Sequence, residues 1–382
     1  MICSLKNFNK SEIARMTKTT RKFVGRWTKS PNQNFTEDNR GWKKGMKRKW
    51  TKTTETRIQE IYKELKNDPK QFYTGPSAIS QEWLKRFPDS KVPPLRTIGQ
   101  IMSDLGLSLK RKKGRNKGAS RYLCYPEHTI YTLLGGRVSE SDFIGKKYIT
   151  GQTEPINFIS FCFKKEPKLR YFQRVEAQTA DCFIVECKKF FEKFEKPDYL
   201  KIDNCLAAIG SASGKRNISR TMKFLLDNQV IPIFAVPRKP FSQASIEGNN
   251  SVFSRFFWNK IHFNNMMEID ERLEDFNKCS EEYCNYQKPR TIKTAQKNFI
   301  PRIYFIRQVK EKENTDKAII EVLNVEIQIR KSYINYFVLA EWNLKEEIIY
   351  IYFEKDQKQK LIKKQSFKIN SKSANGCTLS FC

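Results

Sequence analysis

At 382 residues the chain exceeds one typical domain and predicts about three or four. Hydrophobic residues make up 39%, enough for cored domains, and charged residues make up 30%. No apolar run approaches the roughly 20 residues of a bilayer span, which argues against a membrane protein. The net charge of +31 is uneven: residues 1–120 hold 29 Lys/Arg against 10 Asp/Glu, a balance of +19. A field of that size points to a polyanion, nucleic acid above all. A Lys-rich proteome would raise the total, but would not cluster it beside helix-turn-helix patterns.

The ten cysteines form no Cys-x-x-Cys pair, and the only histidines are His128 and His262. Structural zinc needs four close Cys/His ligands, so none is expected. Two histidines also leave little room for Ser-His or Cys-His chemistry. The thiols are expected to be reduced, mostly buried and intracellular. The N-terminus shows no charged-then-apolar signal pattern.

Residues 1–30 predict a first helix-turn-helix, truncated if a helix is missing before it. Ser11 is the expected N-cap of one helix and Thr19 or Thr20 of the next, with Phe23, Val24 and Trp27 on the packed side. Arg21, Lys22 and Arg26 then face outward toward DNA. Residues 31–50 form a basic linker.

Residues 51–107 predict a three-helix unit, the second helix-turn-helix. Ile58, Ile61, Tyr62 and Leu65 mark the first packed face, and Ala78, Ile79, Trp83 and Leu84 the second. The third helix packs Leu95, Ile98, Ile101, Met102 and Leu105, and Gly106 supplies a left-handed stop. Arg96, Thr97, Gln100 and Ser103 point out, with Arg and Gln suited to bidentate base contacts. An ordinary bundle with a polar face would look the same locally. Residues 108–136 are a second basic linker, where Lys110, Arg111, Lys112 and Lys113 can track phosphates, enter a minor groove or serve as a nuclear address.

Residues 137–290 switch to α/β signals. Strands are predicted near 138–144, 155–163, 169–176, 199–204 and 230–236. Helices are predicted at 179–196, near 219–228, from about Ser245, and over about 266–287. This order suggests a mixed sheet covered by helices. Residues 300–370 alternate β-branched and aromatic residues between short turns and predict a small all-β barrel. Residues 371–382 carry no pattern and are expected to be a disordered tail.

Three carboxylates stand at the edges of the α/β unit. Asp142 and Asp203 lie at strand ends, and Glu247 opens a helix. Carboxylate oxygens on separate elements suit hard divalent cations, and a paired-magnesium site uses one shared and two flanking carboxylates. Glu140, two residues before Asp142 and on the same strand face, is the rival for the first place.

The ordered motifs resemble the retroviral-integrase-like transposases of bacterial insertion sequences, which have an RNase H-like D-D-E core. The matching blocks are Ser141-Asp-Phe-Ile-Gly145, Tyr148-Ile-x-Gly151, Pro155-Ile-Asn-Phe158, Leu200-Lys-Ile-Asp-Asn204, Ile231-Pro-x-x-x-x-Pro237 and Ser245-Ile-Glu-Gly-Asn-Asn250 with Phe253. Gly75-Pro-x-Ala-Ile79 and Arg96-Thr-Ile-Gly99 match the second helix-turn-helix.

The resemblance implies a catalytic triad of Asp142, Asp203 and Glu247. Asp142 and Glu247 would each hold one Mg2+ (Mn2+ as the substitute), and Asp203 would bridge both. Asn204 would line the pocket, and Asn250, Arg255 and Lys260 would contact DNA. The implied reaction frees a 3′-hydroxyl at an element end and joins it to target DNA without a covalent protein intermediate. Double-stranded DNA and a homo-oligomer, a dimer or larger, are the implied partners. The setting would be the cytoplasm and nucleoid of a bacterium, or a nucleus if the host is eukaryotic. The family separates its second Asp from its Glu by about thirty-five residues, whereas 43 intervene here. Residues 208–217 carry the excess and are expected to form a mobile loop beside the site. A catalytically inert DNA-binding regulator and an RNase H-like nuclease without joining activity are the rival readings.

Overall fold

Strands that alternate apolar residues on both sides must be covered on both sides, and the arrangement of this chain follows from that need. The computed structural model describes residues 9–28, 50–108, 126, 128–130, 137–166, 168–287, 299–312 and 317–370. The basic residues Lys110–Lys113, nearly all of both linkers, the 371–382 tail and the side chains of Arg26 and Trp27 lie outside the described residues. The chain divides into two units, residues 1–54 and 55–382.

In the first unit, α1 (Lys10–Met16) and α2 (Arg21–Thr28) close on Ile13, Ala14 and Val24. Asn9, not Ser11, caps α1: its side chain accepts from the Ser11 and Glu12 amides, and Glu12 accepts from the Asn9 amide. That reciprocal pairing satisfies free helix-end donors and outcompetes the single hydroxyl of Ser11. Thr20 Oγ1 accepts from the Phe23 amide at 3.2 Å, as a cap of α2 should. Phe23 is exposed, so the packed side is narrower than expected.

Three helices follow, α3 (Lys52–Asn67), whose first turn holds the division at 54/55, then α4 (Pro76–Arg86) and α5 (Leu95–Asp104). Ile58, Ile61, Leu65, Ala78, Ile79, Trp83, Ile98, Ile101 and Met102 are buried together. Leu84, Leu95 and Leu105, predicted to pack, are exposed, because each sits at the margin of its helix's apolar stripe. Gly106 has φ +67°, the left-handed stop that its position predicts.

The α/β region follows as β1 (Val138–Lys147), β2 (Ile156–Phe163), β3 (Arg170–Val175), α6 (Ala180–Lys193), β4 (Tyr199–Ile202), α7 (Leu206–Ile209), α8 (Arg220–Asp227), β5 (Ile231–Phe234), α9 (Ala244–Phe253) and α10 (Met266–Tyr283). The short α7 is additional to the predicted elements. Strands β1, β2 and β3 are antiparallel neighbours, and β4 and β5 run parallel to β1 on its other side. Along β2, Ile159, Phe161 and Phe163 join one apolar cluster with α6 and α8, while Phe158 joins the other with α9 and α10. Asn277 of α10 both accepts from the Phe172 amide and donates to its carbonyl, each at 2.9 Å, which satisfies open groups of edge strand β3.

The helices α3–α5 share the α9–α10 cluster rather than standing apart. Phe72 meets Phe276 edge-on and Phe257 at a tilt, Gln81 donates to the Tyr283 carbonyl at 2.7 Å, and Arg272 donates to the Pro69 carbonyl.

The C-terminal strands are β6 (Arg302–Gln308), β7 (Lys310–Glu311), β8 (Ala318–Val322), β9 (Val325–Ile329), β10 (Phe337–Asn343), β11 (Ile348–Lys355) and β12 (Lys358–Ser366). They do not form the separate barrel that the alternation predicts. Strand β6 pairs in parallel with β5, so that among the described residues one nine-stranded sheet runs β12-β11-β10-β6-β5-β4-β1-β2-β3. Strands β7, β8 and β9 make a second, three-stranded sheet. The reason is visible in the burial of β6 and β10, which are covered on both faces along nearly their whole length. Period-two alternation tells which residues share a face, but not which strand lies alongside.

Candidate functional site: three carboxylates beneath a clamped helix

The parallel register of β1 and β4 pairs Glu140 with Lys201. Carried on past the end of β4 at Ile202, the same offset sets Asp142 level with Asp203. Neighbouring strands lie about 4.8 Å apart, so the two carboxylates leave adjacent backbones at one end of the sheet. Glu247 stands in the first turn of α9.

Helix α9 is tied to β1 on both sides of Glu247. The Ile246 amide donates to Glu140 Oε2 at 2.9 Å, and Asn250 Nδ2 donates to Asp142 Oδ2 at 3.0 Å. Ser160 of β2 completes the second tie: its hydroxyl donates to Asn250 Oδ1 at 2.6 Å and lies 3.3 Å from the Asp142 carbonyl. Glu247, between these anchors in sequence, is thereby carried to the same end of the sheet.

The electrostatics agree. Burial, then the charge of Asp203, then that of Glu247, push the Asp142 carboxyl up from 3.8 to about 7. The bond from Asn250 opposes this in part. A carboxyl raised by burial and, after it, by two like charges marks a place where a cation would be favoured.

Glu140 has a different task from Asp142, although the two share a strand face. It is wholly buried, with Lys201 Nζ at 3.6 Å and Lys164 Nζ at 3.7 Å. Lys201, also buried, donates to the Ser242 carbonyl just before α9. Glu140 and Lys201 therefore fix the start of the helix that bears Glu247. A lysine in the middle of the apolar run Leu200-Lys-Ile202 is the one sequence sign of this network.

Asn204 does not present a free side chain to the pocket. Its Nδ2 donates to the Ala235 carbonyl at 2.7 Å, and its Oδ1 accepts from Arg307 at 2.8 Å. Asn250 likewise spends its amide on Asp142 and Ser160, which gives it an orienting place rather than an open one. Arg255 is exposed on a π-helical turn over Ser254–Trp258, with Nε donating to the Ser251 carbonyl. Lys260 turns onto the helical region instead, its Nζ donating to the Gln71 carbonyl at 3.2 Å, and its pKa is lowered by burial and by Arg272.

Residues 208–217 are pinned rather than loose. Gly214 accepts from Asn324, the Arg216 amide donates to the Leu323 carbonyl, and Asn370 bonds both Arg216 and Asn217. Arg21 and Lys22 are exposed on α2. Arg96 and Gln100 are exposed on α5 and Thr97 is half-buried there, opposite the packed Ile98, Ile101 and Met102. These residues belong to the helical regions, not to the carboxylate cluster.

Among the described residues, no three His, Cys, Asp or Glu side chains converge as ligands of a single ion. A paired-ion site asks for less, since each Mg2+ takes one or two carboxylates and fills its remaining positions with water and phosphate oxygens. Among the described residues no helix is long and apolar enough to cross a membrane.

No protein-family model matches this chain, and no curated protein matches it. Among solved structures, it is similar to the catalytic core domain of BIV integrase, at 12% identity and a TM-score of 0.27 over 36% of this chain and 78% of that one. A simian T-cell lymphotropic virus intasome in complex with PP2A regulatory subunit B56 gamma aligns at 9% identity and a TM-score of 0.32, covering 79% and 98%. The Mos1 strand transfer complex aligns at 12% identity and a TM-score of 0.22, covering 74% and 92%. Overlaps this loose carry no functional weight of their own.

Proposed function

We propose that this chain is a DNA transposase/integrase that binds the terminal repeats of a mobile element, cleaves DNA to free 3′-hydroxyls and joins them to target DNA. The observation that carries the proposal is that Asn250 and the Ile246 amide tie the helix bearing Glu247 to β1, where burial first, then the charges of Asp203 and Glu247, raise the Asp142 carboxyl to about 7. In this reading Asp203 is the residue shared by two ions, with Asp142 and Glu247 each completing one site. Bound there, a pair of Mg2+ or Mn2+ ions would activate the attacking oxygen and stabilise the leaving one. The protein's own part is positioning: Asn250 and Ser160 orient Asp142, and Glu140 with Lys201 sets the start of α9.

The charge of +31 suits a DNA partner and makes affinity depend on salt. Arg96, Thr97 and Gln100 on α5 are proposed to read bases in the element ends, and Arg21 and Lys22 on α2 to hold phosphates. Lys110–Lys113 and Arg255 would add phosphate contacts. Holding two element ends together requires at least a dimer.

The test is a cleavage and strand-transfer assay on DNA carrying the element's own ends, with Mg2+ or Mn2+, comparing wild type with Asp203→Asn. Joined products that need the metal and vanish in the variant, with DNA binding retained, support the proposal. Cleavage without joining indicates a nuclease. DNA binding by folded wild type with no product indicates an inert regulator, and either result overturns the assignment.

A further inference from the structure

The residue after Asp203 is held by a side chain from a strand that sequence alone assigns to another domain. Arg307 of β6 is buried, and its guanidinium donates to neutral oxygens. Nε donates to the Glu321 carbonyl of β8 at 2.9 Å. One terminal nitrogen donates to the carbonyls of Ala235 and Ile306, at 3.0 and 2.9 Å. The other donates to Asn204 Oδ1 at 2.8 Å. Asn204 in turn donates to the same Ala235 carbonyl. The guanidinium fork and the Asn204 amide thus close a ring of hydrogen bonds across the ends of β4, β5 and β6, one residue along the chain from Asp203.

From this geometry we propose that Arg307 is a positioning residue for Asp203, acting through Asn204, and that the C-terminal strands are a built-in part of the catalytic site. The proposal rests on the two-metal reading of Asp142, Asp203 and Glu247. Three features support it. A buried arginine is held by polar groups at a cost in desolvation, and burial does lower its pKa, to about 10, against the opposing pull of Glu321 and Asp203. Lysine could not replace it, because only a planar fork reaches Asn204, Ala235 and Glu321 together. The same C-terminal strands also grip the neighbouring 214–217 segment through Leu323, Asn324 and Asn370. Residues behind a metal ligand fix its direction, and their loss commonly costs about 10–100-fold in metal affinity.

The experiment compares the full-length wild type, Arg307→Lys, Asn204→Ala, the double variant and Asp203→Asn. Bound Mn2+ is counted by electron paramagnetic resonance, and thermal unfolding is followed in the same samples. Arg307→Lys keeps the charge and removes the fork, while Asn204→Ala breaks the link from its other end with little change in burial. Each single variant is expected to raise the half-saturating Mn2+ concentration about 10-fold, and the double variant no further, because both cut one connection. Wild-type Mn2+ affinity in folded Arg307→Lys and Asn204→Ala overturns the proposal while leaving the two-metal reading intact. Equal Mn2+ binding by wild type and Asp203→Asn overturns that reading, and the proposal with it. Multiplying losses in the double variant indicate general destabilisation and also overturn the positioning role.

Discussion

Replacing Asp142 by asparagine should make the metal-free protein more stable, and the sign follows from the site. Burial and the charges of Asp203 and Glu247 raise the Asp142 carboxyl from 3.8 to about 7. A carboxyl whose folded pKa lies above its unfolded one takes up a proton on folding between those values. Stability is therefore lost as pH rises from about 4 to about 7, and the full penalty remains above 7. The upper limit is near ~4 kcal/mol, from about 1.4 kcal/mol per pH unit. Asp142 is only partly shielded from water, so about half that is the working figure.

The amide of Asp142→Asn would keep the shape and an oxygen for the Asn250 side chain, but carry no charge. Thermal unfolding in EDTA from pH 4 to 8.5 should show the two proteins equal near pH 4. The Asp142→Asn variant should then be more stable by about 2 kcal/mol, or about 3 °C, at pH 8. Mn2+ should reverse the order, since only the wild type keeps both flanking carboxylates. Curves that stay parallel across the pH range, or an asparagine variant that is the weaker one at pH 8 in EDTA, would refute the claim that these three charges are crowded together.

Three further outcomes are expected. Lys201→Met removes one of the cations beside buried Glu140 and should cost about 3 kcal/mol in denaturant unfolding, while adding Glu140→Gln should restore part of the loss. Gly210 has φ +79°, and a Cβ there would lie 2.8 Å from Ser219 Cβ, the N-cap of α8, so Gly210→Ala should lower stability by about 2–3 kcal/mol in the same assay. In DNA binding measured against salt, Arg21→Ala should flatten the log–log slope by about one on any sequence, while Arg96→Ala should cost about 1–3 kcal/mol on element ends and little on unrelated DNA.

Much of this arrangement was legible in the chain. Helical spacing located α3–α6 and α8–α10, and apolar alternation located β1–β5, because those patterns are set by residues close in sequence. The acidic trio was also legible, although only Asp203 and Glu247 stand at element ends, and Asp142 lies inside β1, which runs on to Lys147. What escaped was everything decided by distant partners. Whether β6 joins β5 or closes a barrel depends on pairing across a gap of some 70 residues, which leaves no mark on its local alternation. Glu140 and Asp142 look alike along β1, and only Lys164, Lys201 and the Ile246 amide tell them apart. Arg307 reads as one more cation in a basic chain until it is found buried against Asn204.

These distant partners share one pattern. Glu140 and Lys201 set the start of α9, Asn250 and Ser160 join that helix to Asp142, and Arg307 holds Asn204 next to Asp203. Every carboxylate of the cluster thus either accepts a hydrogen bond from a half-buried side chain or stands next in sequence to a residue that is held by a buried one. For phosphoryl transfer this is where the protein's contribution lies, because a displacement near 1 Å at a reacting centre can cost about 100-fold in rate. It follows that the sheet from β1 to β6 acts as one frame for the site. Cutting the chain before β6, at the boundary that local sequence pattern suggests, should remove the Arg307 support and with it the geometry of Asp203.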